Sequence, residues 1–247
     1  MEHLYSIMPL DLDHVEELCA DIKQQYEQGV ATCVLFYCKL VPEGKPLINK
    51  AEIFGESFKV VQNRLKGMGL ECGILVQCTI GHGYPLNEDS NLTHYVNLTD
   101  GKRQYVICPY DVDFQNYIRE QFTILAALQP KVIMVDDDYR LMYRGGRGCA
   151  CDLHMRAYHK LAKNNLTREQ LYGLLETDDY AQEKQFFLET QREALLQGAR
   201  AMREGIDAVD ETLPGSFCCL FCTFYILCGI RQTRAFPCVP KQKEKCA

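Results

Sequence analysis

Blocks of two kinds alternate along this chain. The stretches "VATCVLFYCKLV", "CGILVQCTI" and "KVIMV" are apolar on both faces and rich in β-branched or aromatic residues, and the first two run into the turn signals "PEGKP" and "GHGYP". Between such stretches the apolar residues recur every three or four positions. In Leu12–Gln28, for example, Val15, Leu18, Cys19 and Ile22 share one side. The same spacing predicts helices over Lys50–Met68, Asp113–Leu128, Asp152–Lys163, Thr167–Leu175 and Ala181–Ala208. Strands are predicted at Leu4–Met8, Ala31–Tyr37, Cys72–Cys78, Val132–Val135 and Thr212–Cys219. Strands apolar on both faces and separated by amphipathic helices mark an α/β chain with a parallel sheet. Half or more of a (β/α) barrel fits this order at least as well as an open doubly wound sheet. In either fold, ligands bind at the carboxyl ends of the strands.

Composition narrows the class. With 247 residues, 47% of them hydrophobic and 24% charged, the chain can bury a sizeable core. The net charge of -6, from 27 basic and 33 acidic side chains without long single-sign runs, argues against nucleic acid as a partner. The start, "MEHLYSIMPLDLDH", has no signal-peptide pattern, and "FCCLFCTFYILCGI" is too short an apolar run to span a bilayer comfortably. A cytoplasmic chain with no membrane partner is the expectation. Most of the fourteen cysteines lie inside apolar runs, as buried free thiols do, rather than in a disulfide framework.

Candidate chemistry gathers after the strand "KVIMV". That strand runs straight into Asp136, Asp137 and Asp138. With a period of two, Asp136 and Asp138 share a face, and their crowding is expected to raise one pKa and leave a proton available for general acid work. Arg140 is placed to hold a neighbour ionised or to grip substrate hydroxyls. A divalent-metal site and a plain turn cluster fit the same residues. Gln77 and His82, after the third strand, are candidates for substrate contact at the same mouth. A little further on, Cys149-x-Cys151-x-x-His154 offers three ligands at zinc-compatible spacing, and Cys108 in "CPYD" is the candidate fourth, making a structural Cys₃His zinc set. Cysteines falling there by chance in a cysteine-rich chain are the alternative.

Together these segments resemble the family 42 glycoside hydrolases, the β-galactosidase-like (β/α)₈ TIM barrels of clan A. The specific motifs are "CPYD", "DDDY" and "CACDLH", all within Cys108–Leu161. The resemblance implies that Asp138 stands at the acid/base position and Asp137 at that of the asparagine contacting the substrate 2-hydroxyl. It also implies that Cys108, Cys149, Cys151 and His154 take four zinc positions, histidine replacing a cysteine. The family has glutamate and asparagine where this chain has aspartates, a shortening of one methylene at the acid. The implied activity is hydrolysis of O-glycosidic bonds in a galactoside or related sugar, and the implied partner is carbohydrate. In retaining members of the clan the opposing glutamate ends strand seven, whereas the recognisable pattern here covers about five β–α units, over residues 1–219. Residues 220–247 read as an atypical cysteine-rich, basic tail of the kind a frameshift or truncation leaves. Weak or absent turnover and self-association through exposed barrel edges are therefore expected. A non-catalytic carbohydrate-binding or structural fragment and a metal-dependent hydrolase using Asp136–Asp138 are the alternatives.

Overall fold

A computed structural model describes residues 4–81, 90–141, 147–177, 181–219 and 238–240. The apolar stretches form the parallel strands β1 (Tyr5–Met8), β2 (Cys33–Lys39) and β3 (Cys72–Gln77). A short antiparallel pair, β4 (His94–Val96) and β5 (Arg103–Ile107), precedes β6 (Ile133–Val135), β7 (Gly215–Cys219) and β8 (Cys238–Pro240). The helices are α1 (Val15–Glu27), α2 (Lys50–Gly67), α3 (Val112–Ala127), α4 (Asp152–Ala162), α5 (Arg168–Leu175) and α6 (Ala181–Asp207). Their starts follow local chemistry. Asn49 accepts from Glu52 N at α2, Asp111 accepts from Asp113 N and Phe114 N at α3, and Thr167 with Gln170 forms a capping box at α5.

The six-stranded sheet runs β1-β2-β3-β6-β7-β8, parallel throughout. Spatial order therefore follows chain order, without the reversal that defines a doubly wound sheet. The two faces of the sheet differ as well. Val34, Phe36, Ile74, Val76, Ile133, Val135 and Phe217 pack with residues of α1, α2, α3 and α6 in the main core. The alternate positions Cys33, Leu35, Leu75, Val132, Met134 and Cys218 form a separate cluster in which no helix residue takes part. Helices on one face and a narrow apolar cluster on the other are consistent with part of a (β/α) barrel. Gly73 marks the tightness of that second face, since a Cβ there would lie 2.7 Å from Leu35 Cδ2 and 2.8 Å from Val132 Cγ1.

Three features depart from the expected pattern. The β4–β5 hairpin lies outside the predicted elements, although Asp100-Gly101 between its strands, with Gly101 at φ 68°, is a hairpin signal. Strand β6 stops at Val135, so the three aspartates lie in a turn and the period-two argument does not govern them. A sixth strand, β8, pairs with β7 from within the stretch set apart as a tail. Among the described residues no helix is long and apolar enough to cross a membrane.

Candidate metal centre and strand-end acid site

Cys108, Cys149, Cys151 and His154 converge, with one ligand atom from each all within 4.8 Å of one another. All four are buried. Cys108 follows β5, Cys149 lies in the segment after β6, Cys151 is the N-cap of α4 and His154 is in its first turn. His154 Nδ1 faces the sulfurs, 3.1 Å from Cys108 Sγ and 3.5 Å from Cys151 Sγ. Tetrahedral zinc with Zn–S bonds of about 2.3 Å sets sulfurs about 3.8 Å apart, so the set is already near ligating dimensions. Burial pushes the Cys108 and Cys149 thiols up, whereas hydrogen bonds from those two thiols, with help from His154, hold Cys151 well below the usual thiol range. Closely packed buried sulfur and imidazole donors of this kind are what a divalent cation completes. The cluster can hold a metal ion.

The surroundings fix the ligands. Gln191 of α6 accepts from Cys149 N at 2.7 Å and donates to Cys149 O at 3.0 Å, while Asn97 beyond β4 forms an antiparallel bridge with Cys149. The Tyr110 ring meets the His154 ring edge-on at 4.8 Å, and its hydroxyl donates to Thr190 O on α6 at 3.0 Å. The centre thus joins the β4–β5 hairpin, the segment after β6, α4 and α6.

The second site lies where β3 and β6 end side by side. Asp136 N donates to Val76 O, continuing the ladder by one bond. Gln77 Nε2 then donates to Asp136 Oδ2 at 2.7 Å, and Cys78 N donates to Asp138 Oδ2 at 2.7 Å. Asp138 Oδ1 is buried without a hydrogen-bond partner among the described residues, as is Arg140 Nε. Burial pushes the Asp138 carboxyl up to about 6; the Cys78 N–H opposes this, and the charges of Asp136 and Asp137 add to it. Crowding of carboxylates, the cause anticipated from the sequence, is thus secondary to desolvation. Asp137 N donates to Asp136 Oδ1 at 2.8 Å, which closes the turn. Behind it Tyr139 is buried, stacked on Phe217 at 5.7 Å, with its hydroxyl donating to Leu195 O of α6 at 2.8 Å. His82 lies outside the described residues. Cys78 gives no signal in the sequence, because a thiol inside an apolar run reads as core.

These features define an α/β chain of sequential parallel strands, with a buried cysteine–histidine cluster and a carboxyl group at the strand ends. No protein-family model matches the chain, and no curated protein matches it significantly. Among solved structures it is similar to β-galactosidase from Bacillus circulans sp. alkalophilus, with a TM-score of 0.53 and 13% identity over 87% of this chain and 36% of that one. It also matches α-L-fucosidase isoenzyme 2 from Paenibacillus thiaminolyticus, with a TM-score of 0.43 and 12% identity over 88% of this chain and 32% of that one. The chain spans about a third of the length of each of these proteins. The likeness to the first is one of fold, and the second match carries no argument.

Proposed function

We propose that this chain is the carbohydrate-handling part of a glycoside hydrolase of the family 42 kind, with Asp138 as proton donor to the leaving oxygen of a galactoside or related sugar. The observation that carries the reading is the state of Asp138. It is a carboxyl group at a strand end, pushed up to about 6, with one oxygen held by Cys78 N and the other unpartnered. A carboxyl group in that range is protonated in a useful fraction near neutrality and can deliver the proton in the transition state. Gln77, Asp137 and Arg140 are proposed to meet sugar hydroxyls, and Asp136 to hold Gln77 in place. Cys108, Cys149, Cys151 and His154 are proposed to hold a structural zinc, because four protein donors close its coordination and leave no position for substrate. Among the described residues that cluster is the only converging group of three or more His, Cys, Asp or Glu, which disfavours metal chemistry at Asp136–Asp138.

Hydrolysis needs a second carboxyl group on the opposite face of the sugar. The proposed assignments supply one side only, so sugar binding with weak turnover is expected of this chain. Calorimetric titration with galactose, arabinose and glucose, run beside assays on their aryl glycosides, tests the reading. Binding of at least one sugar is expected, with any hydrolysis falling by about 10²–10⁴ in Asp138→Asn and less for nitrophenyl leaving groups. Full turnover by Asp138→Asn would move the acid role to Asp136. Neither binding nor turnover across the panel would leave a structural role for the chain.

A further inference from the structure

Cys149 is tied down on two sides by the protein itself. Toward the hairpin, Leu98 N donates to Gly148 O at 3.2 Å and Ala150 N donates to Val96 O at 2.7 Å. The N–H and C=O of Cys149 therefore point the other way, as alternate residues of an antiparallel pair do. On that side both meet one side chain, Gln191 of α6. Its Oε1 accepts from Cys149 N at 2.7 Å and its Nε2 donates to Cys149 O at 3.0 Å. Gln191 is 4% exposed and Cys149 0%, so without that amide two backbone groups would be buried unpaired. Gly148 makes room for the approach. It has φ 114°, and a Cβ there would lie 2.8 Å from Phe187 Cε1 and 3.0 Å from Gln191 Oε1.

The preceding residue of α6 serves a second donor. Thr190 O accepts from the Tyr110 hydroxyl at 3.0 Å, and the Tyr110 ring meets the His154 ring edge-on, with centroids 4.8 Å apart. His154 Nδ1 faces the sulfurs of Cys108 and Cys151, whereas Nε2 is buried with no hydrogen-bond partner among the described residues. A ligating histidine is usually oriented by a hydrogen bond from its other nitrogen. Here the aromatic contact takes that place. We propose that Gln191 and Tyr110 are positioning residues of the metal centre, Gln191 fixing Cys149 and Tyr110 turning His154 so that Nδ1 is the ligand. The role rests on the reading of the cluster as a zinc site. Neither residue supplies a ligand atom; together they tie two of the four donors to one turn of α6.

The test compares the full chain with its variants, loaded with zinc and, separately, with cobalt(II). Loss of an outer-shell partner typically costs about 10–100-fold in metal affinity, so Gln191→Leu is expected to yield zinc to a chromophoric chelator in that range. Its cobalt form should show shifted or weakened thiolate charge-transfer bands. Gln191→Glu keeps the acceptor for Cys149 N and loses the donor to Cys149 O, so it should fall between, and it decides the matter if Gln191→Leu does not fold. Tyr110→Leu should also release zinc more readily, whereas Tyr110→Phe keeps the ring and most of the affinity. Gly205→Ala is the control, because it burdens α6 elsewhere, with an added Cβ 2.3 Å from Arg119 O. It should melt lower and keep the parent's zinc affinity and cobalt spectrum. Parent-like affinity and spectrum in the Gln191 variants overturn the proposal, as does equal zinc loss in Gly205→Ala. Nitrogen NMR of histidine-labelled, zinc-loaded parent should show Nδ1 bound to metal and Nε2 protonated, and ligation through Nε2 overturns the part given to Tyr110. A parent that takes up no zinc removes the metal reading and this role with it, whereas a zinc-loaded parent with indifferent variants removes this role alone.

Discussion

Asp138 links a local environment to a measurable stability. In the unfolded chain an aspartate titrates near about 3.9. In the fold, burial raises Asp138 to about 6, so the folded protein holds the proton more tightly than the unfolded one. The favourable contribution is fully present below the unfolded value, at about pH 4, and is lost as pH rises through about 6. Asp138→Asn has no such dependence. It is expected to exceed the parent in stability by about 1–3 kcal/mol at pH 8, with the difference shrinking to near zero at pH 4. Denaturant melts of both proteins at the two pH values check this. A gap of the same size at pH 4 would mean that the gain came from something other than the buried charge.

Helix α6 serves both sites, and its small residues show how. Gly198 lies under Tyr139, where an added Cβ would come 2.2 Å from the hydroxyl oxygen. Alanine would otherwise favour the helix by about 1 kcal/mol, but here the clash prevails, and Gly198→Ala is expected to destabilise by about 1–3 kcal/mol. Tyr139→Phe removes the clashing oxygen, so Gly198→Ala should cost less in that background. A double-mutant cycle by thermal melting reads the coupling, and strict additivity would put the cost elsewhere. A few residues earlier, Gln191 grips both backbone groups of Cys149. The cysteine–histidine cluster therefore draws together elements that are far apart in sequence, and, if it holds the proposed zinc, about one zinc per chain is expected by elemental analysis. Cys149→Ala/Cys151→Ala should contain none and melt at lower temperature. Zinc retained by that double variant would show that other donors hold it.

Across the molecule, the sheet is covered by helices on one face and carries the small apolar cluster around Leu35, Leu75 and Met134 on the other. Among the described residues β1 pairs with β2 and is the first strand of the described sheet. Ile7 on that edge strand is 48% exposed. Exposed apolar side chains on end strands of a sheet favour association with another chain, and self-association through the Ile7 face of β1 is the expected outcome. Sizing with light scattering should give species larger than a monomer, reduced by Ile7→Lys. A single monomeric species with a cooperative melt would argue that the edge is covered within one chain.

The sequence by itself determined the order and kind of the main elements, because a period of two or of 3.6 is a local property that burial on one or both faces imposes. Helices α2 and α6 were legible to within a residue or two, as was the ending of β3 and β6 in polar groups. The members of the cysteine–histidine cluster were legible too, since Cys-x-Cys-x-x-His is local and a cysteine before a helix is easily noticed. Tertiary structure alone decided what meets what. The spatial order of the strands and the one-sided helices come from crossovers that no local period encodes. The meeting of Cys108 with Cys149, Cys151 and His154 depends on how the β4–β5 hairpin and α6 hold the segment after β6. The raised carboxyl at Asp138 needed the register of β3 beside β6, which turns Cys78 toward it and closes off water. Crowded charges could be read along the chain, but desolvation, the larger cause, exists only once distant segments have packed around the group.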